Sequence, residues 1–229
     1  GIEFPFPKLF GKLGDEYDKR YGLKDEHLAE ISTINYANAK LNPNAQTRTW
    51  YMNYDHAMSR DEFNGTIGGR IHISDFLAGD GRRRRCAPGA ARARPEVGPP
   101  RPRLPSVTSA LKRAGIADVS GIDAIETHDC FTTSEYMAID HFGITAPGES
   151  WKAIEEGDIA LGGKIPVNPS GGLIGAGHPV GATGVRQLLD GHKQVTGQAG
   201  EYQVEGAKNV QTLNIGGSGT TSVSFVIGT

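Results

Sequence analysis

His178 stands in a glycine-rich run, residues 168–187, that reads Asn-Pro-Ser-Gly-Gly-Leu-Ile-Gly-Ala-Gly-His-Pro-Val-Gly-Ala-Thr-Gly-Val-Arg-Gln. Glycines at this density let backbone N–H groups approach a ligand or adopt positive φ. Val185, Leu188 and Leu189 then recur at helical spacing, so the run reads as a tight loop entering a helix whose N-terminus favours developing negative charge. An imidazole held there can take a proton or donate to an oxyanion; the bland alternative is a hydrogen-bonded loop histidine. A second group, His128-Asp129-Cys130-Phe131, follows a predicted strand at 122–127 and precedes a predicted helix at 133–142. Strand ends facing helix starts are where open α/β sheets place their chemistry. Cys130 has its own bland reading, a small buried hydrophobe. A third loop, the glycine turn 214–219, lies between predicted strands at 210–213 and 221–227. His27, His56, His72, His141 and His192 lack comparable surroundings and read as surface or core residues.

Other elements must hold these loops. Residues 1–10 mix Pro5 and Pro7 with three phenylalanines and suggest an extended lead-in. Helical spacing runs over 15–40, with Asp25 as an N-cap ahead of Leu28, Ile31, Ile34 and Ala37, and Asn42-Pro43-Asn44 ends it. Residues 69–76 alternate like a strand. Past residue 105, Val107, Leu111 and Ala114 predict a helix stopped by Gly115, and 151–156 predict another ending at Gly157.

With 229 residues the chain can bury a substantial core, and a net charge of −2 gives no global field for nucleic acid. The charge is unevenly spread: residues 82–103 hold eight arginines and one acid. That stretch is otherwise Pro, Ala and Gly with Cys86 and Val97, a composition that cannot form a packed element and predicts a linker. Arg, Pro, Ala and Gly are also encoded by codons beginning with two G or C bases, so a frameshifted reading of a GC-rich gene would produce it. Translating the other two frames tests that origin. Two cysteines, Cys86 and Cys130, make neither a disulfide framework nor a zinc site, which points to a reducing compartment. The expectation is a cytoplasmic protein without signal peptide, membrane span or bound metal.

The segment Gly177-His178-Pro179-Val180-Gly181-Ala182-Thr183-Gly184, preceded by Asn168 through Gly172, resembles the histidine loop of the thiolase superfamily. His128-Asp129-Cys130-Phe131 resembles the motif that sterol-carrier-protein type thiolases carry in place of the common Asn-Glu-Ala-Phe. Tyr21-Gly22-Leu23, Glu26-His27-Leu28-Ala29 and Leu41-Asn42-Pro43-Asn44-Ala45-Gln46 are similar to the helical excursion that helps thiolases hold coenzyme A. The resemblance spans 15–75 and 106–229. It implies an α/β fold: the C-terminal half of a layered αβαβα thiolase arrangement with part of the helical loop region, incomplete for want of the half-domain's first strand. The implied parts are 1–76, a partial loop region and last strand of the N-terminal half; 77–105, the linker; and 106–229, the C-terminal domain.

The activity so implied is that of an acyl-CoA C-acyltransferase, a transferase of lipid metabolism making or thiolysing 3-ketoacyl-CoA. Such chemistry needs an acid/base and donors for two oxyanions. By resemblance Cys130 is the acid/base, and His128 helps form one oxyanion hole, directly or through water. His178 activates a nucleophilic cysteine and donates to the thioester oxygen, and the Gly216 N–H serves the second oxyanion hole. Ser170, Gly171 and Gly172 shape the backbone and contact coenzyme A. Coenzyme A is a substrate here, not a permanent cofactor, and the implied partners are acyl-CoA, coenzyme A and a second copy in a homo-oligomer, with no nucleic acid and no membrane. Common thiolases carry a cysteine where this chain has Asn214, as expected if the acid/base has moved to Cys130. The nucleophilic cysteine itself has no counterpart. That leaves two rivals: a thiolase-like aldolase acting on CoA thioesters, and a non-catalytic thiolase chain.

Overall fold

The computed structural model describes residues 5–59, 61–76, 103–216 and 219–229. Cys86 and all but the end of the expected linker lie outside them. The chain is already helical at Pro5, where an extended lead-in was expected: α1 spans Pro5–Tyr21. Pro5 and Pro7 fall in its first turn, where the N–H they lack would have no intrahelical acceptor. Phe6 and Phe10, four residues apart, bring their rings to 5.8 and 4.4 Å from that of Phe131, which gives this turn a tertiary anchor.

Helix α2, Asp25–Leu41, begins at its expected cap, so the cap falls one residue earlier: Lys24 occupies the N-cap position, and Asp25 sits in the first turn beside Glu26, where negative charge suits the helix dipole. It ends before Asn42-Pro43, as the sequence indicates. After α3 (Tyr54–Met58) come two short strands, β1 (Thr66–Gly68) and β2 (Ile71–His72), paired antiparallel around Gly69 with φ 63°. The strand expected over 69–76 is therefore cut short. Asp75 Oδ2 accepts the His72 N–H at 2.9 Å and winds Ile73–Asp75 into a 3-10 turn.

In the second part, α4 (Pro105–Ala114) ends at Gly115 in the left-handed conformation, as expected. Strand β3 (Ala124–Glu126) pairs in parallel with β4 (Asn209–Gly216), and β4 pairs antiparallel with β5 (Thr221–Gly228). Ile125 also bridges Val167 on the far side of β3. Among the described residues no strand separates β3 from β4. Between β3 and β4 run α5 (Thr132–Phe142), α6 (Ser150–Glu155), α7 (Gly172–Ala176) and α8 (Thr183–Val195). Sequence reading gave residues 172–176 to the glycine loop; they form the short helix α7.

Helix α4 covers one face of the sheet, with the Val107 carbonyl accepting from Gln211 at 3.0 Å and Ser106 bonded to Ser222 at 3.0 Å. Helix α8 covers the other, where Gly191 leaves room for Val210 and Ile227. This helix–sheet–helix layering is the α/β arrangement the sequence implies. One buried core joins Tyr17, Leu28, Ile31 and Ile34 to Val107, Ile125, Tyr136, Ile139, Phe142 and Leu213. A smaller cluster of Ile71, Cys130, Phe131 and Leu173 lies beside it, packed by Phe10, Ile67 and Phe76.

Candidate active site

The chain emerging from β3 and the chain leaving α7 bring two histidines into contact. The rings of His128 and His178 meet edge to face, with centroids 5.0 Å apart and planes at 88°. His128 is 8 % exposed, and its Nδ1 is buried without a hydrogen-bond partner among the described residues. Burial, and then the neighbouring His178, lower its pKa to about 4, so it is neutral at physiological pH. His178 is half-buried, and its pKa is lowered by burial and then by the Arg186 charge. Its Nδ1 lies 2.6 Å from Thr183 Oγ1.

Asp129, between His128 and Cys130, is fully buried and points the other way. It accepts from the Leu173 N–H at 2.6 Å, the Ile174 N–H at 3.2 Å and Asn35 Nδ2 at 3.3 Å, and so ties the first turn of α7 to the end of β3. Burial raises its pKa to about 6 against the pull of those N–H donors. Gly172 must be glycine here: its φ is 62°, and a Cβ would overlap the Asp129 carboxylate. Gly171, with φ 97°, would put a Cβ 2.8 Å from Ala39 Cα on α2.

Ser170 is fully buried, with its N–H and Oγ donating to the Glu126 carboxylate at 3.0 and 2.7 Å. Arg186 Nη1 bridges Ser170 Oγ (3.0 Å) and Asp190 Oδ2 (2.7 Å). Burial, and then repulsion from Asp190, push the Glu126 carboxyl up to about 8. Ser170, Gly171 and Gly172, expected to contact coenzyme A, thus face protein on these sides, and their geometry is that of residues that shape the loop.

Cys130 is 2 % exposed within its apolar cluster, with Ser134 Oγ 3.7 Å from its sulfur. Burial pushes the thiol up to about 12, so it stays protonated at neutral pH. Gly216 closes β4 and is exposed. Two residues before it, Asn214 donates to Gln187 Oε1 on α8 at 3.0 Å. Of these site residues, His128 and His178 are brought into ring contact.

Sequence reading passed over the residues that hold these loops. Asn35, Asn38 and Asn42 line one face of α2 and its end. Asn35 donates to Glu135 at 2.6 Å, Asn38 to the Asn168 carbonyl at 3.0 Å and Asn42 to the Ser170 carbonyl at 2.9 Å. Asn168, left-handed at φ 52°, accepts the Thr127 N–H at 2.8 Å and donates to Glu135 at 2.8 Å. The spacing of three and four between the α2 asparagines is the signal that could have revealed them.

The family described as "Thiolase C-terminal domain-like" matches residues 93–229. The chain belongs to the thiolase family. That match begins inside the arginine-rich segment. This thiolase chain is 31 % identical to sterol carrier protein 2 of Rattus norvegicus, over 96 % of its own length and 45 % of the relative's. It is 33 % identical to an acetyl-CoA acetyltransferase of Methanothermobacter thermautotrophicus, over 96 % of itself and 63 % of that protein. It therefore spans only about half to two thirds of the length of these relatives. A solved structure named "Ltp2-ChsH2(DUF35) aldolase" superposes with a TM-score of 0.78, covering 99 % of this chain and 65 % of that one. At 21 % identity that likeness establishes the thiolase fold alone.

Proposed function

We propose that this chain supplies the histidine side of a thiolase site and acts on acyl-CoA thioesters, transferring an acyl group between a 3-ketoacyl-CoA and coenzyme A. The observation that carries the reading is the contact of His128 with His178 in loops bearing the thiolase motifs. In the thiolysis direction, His178 Nε2 takes the proton of a nucleophilic thiol, and the thiolate attacks the 3-keto carbon. The C2–C3 bond breaks, its electron pair goes to the enolate of the departing acetyl-CoA, and a proton is delivered to C2. The acyl group then passes to the sulfur of coenzyme A. A thiol held at about 12 stays loaded with its proton, which suits Cys130 to giving it up to the enolate and unsuits it as the nucleophile. Neutral His128 and protonated His178 donate to the oxyanion, and the Gly216 N–H is assigned to the second one. Among the described residues no cysteine other than Cys130 stands to serve as the nucleophile.

A second reading, retro-aldol cleavage of a β-hydroxyacyl-CoA, draws support from the cysteine count, since Cys130 is buried and Cys86 has no nucleophile motif around it. The test is a thiolysis assay on the purified chain following loss of acetoacetyl-CoA absorbance, with His178→Ala and Cys130→Ala as controls, beside an assay for retro-aldol products. Thiolysis abolished by both changes is the expected result for a chain holding a complete site. Retro-aldol products would replace the proposal with the second reading. Neither activity, with no acyl adduct by mass spectrometry, would show a chain that does no chemistry by itself.

A further inference from the structure

We propose that Thr183 is a positioning residue that fixes the tautomer of His178, holding hydrogen on Nδ1 so that proton traffic runs only through Nε2; this rests on the reading of His178 as the base above. Thr183 is 1 % exposed and is the first residue of α8. Its Oγ1 lies 2.6 Å from His178 Nδ1 and 3.2 Å from the Pro179 carbonyl oxygen. A carbonyl oxygen can only accept, so when the hydroxyl places its single hydrogen there it meets Nδ1 with a lone pair, and Nδ1 is then the donor. The hydroxyl is not needed to cap the helix: the Ala182 and Thr183 N–H groups already reach the Pro179 carbonyl at 2.7 and 3.0 Å, and α8 has no side-chain cap at Ala182.

The consequence is chemical. Neutral imidazole in water favours hydrogen on Nε2, the form that cannot take a proton at that nitrogen. With hydrogen held on Nδ1, Nε2 carries a lone pair before the thiol is deprotonated and an N–H afterwards, when an oxyanion needs a donor. The same Nδ1–H bond to Thr183 survives in both states, so the ring need not turn between its two tasks.

The test is nitrogen-15 NMR of the histidine side chains in the full chain, with His178→Gln assigning the signal. Wild type above the His178 titration is expected to show Nε2 at the shift of an unprotonated ring nitrogen, and Thr183→Ser to keep it there. Thr183→Val, which matches the shape but cannot accept, is expected to move the major species to hydrogen on Nε2. Amide dispersion of β4 and β5 checks that each variant folds. A protonated Nε2 in the neutral wild type overturns the proposal, and so does a folded Thr183→Val with an unchanged spectrum. The wild-type spectrum decides even where the valine variant does not fold. Absence of thiolysis leaves these spectra unaffected, so failure of this inference and failure of the functional reading are separable.

Discussion

Gly172 shows why single residues in the glycine run are irreplaceable for reasons other than ligand approach. Its positive φ and the Asp129 carboxylate occupy the space of any side chain. Gly172→Ala is expected to destabilise the fold by about 2–4 kcal/mol, combining left-handed strain with loss of the α7 anchor. Urea denaturation measures it, and an unchanged midpoint would refute the account. His178, His128 and Cys130 were singled out in the sequence because each sits in a local motif. Asp129 and Thr183 lay inside those same motifs and were passed over. The partners that give Asp129 its task are backbone groups 44 and 45 positions away, and no local pattern reports them.

Helices and strands were legible where their own periodicity and stop signals decide them, as with α4 before Gly115 and α8 after the histidine loop. They were misread where distant contacts decide. The start of α1 depends on Phe131, and the strand expected at 69–76 yields to the Asp75 carboxylate. Helix α2 was recognised by its apolar residues, while its asparagine face does the holding. Asn38→Asp replaces a donor by an anion facing the Asn168 carbonyl in a buried site, and is expected to cost about 3–5 kcal/mol by the same denaturation measurement. The polar layer below β3 also sets a pH response. Glu126 rises from its usual 4.5 to about 8, so the folded state binds more protons than the unfolded one across that window and stability falls as pH rises. His128, lowered from 6.5 to about 4, acts oppositely between those values, raising stability with pH, and its effect fades as pH rises beyond 6.5. From pH 6.5 to 8 stability should therefore decline, and Glu126→Gln should make the decline shallower in denaturation curves taken across that range.

Taken whole, the molecule has a covered interior and an uncovered flank. Val180, Val185 and Leu189 are 82, 70 and 50 % exposed, and Val223 and Phe225 of β5 are 42 and 48 % exposed. Exposed apolar groups favour association in water, so the isolated chain is expected to self-associate in sedimentation velocity. Val185→Glu with Leu189→Lys should shift it toward monomer, and unaltered sedimentation would count against that flank as the cause. The α/β class was evident from the order of elements, and the sequence suggested a division at 77–105. Residues of α1 and α2 share one apolar interior with those of β3, α5 and β4, and the asparagine stripe binds α2 to the loops on the other side of that division. Covalent continuity through the arginine-rich segment is then not what keeps the two parts together. Nicked there by trypsin, or made as separate polypeptides 1–76 and 103–229, the pieces should behave as a split protein, eluting as one complex and regaining the His128–His178 contact only when mixed.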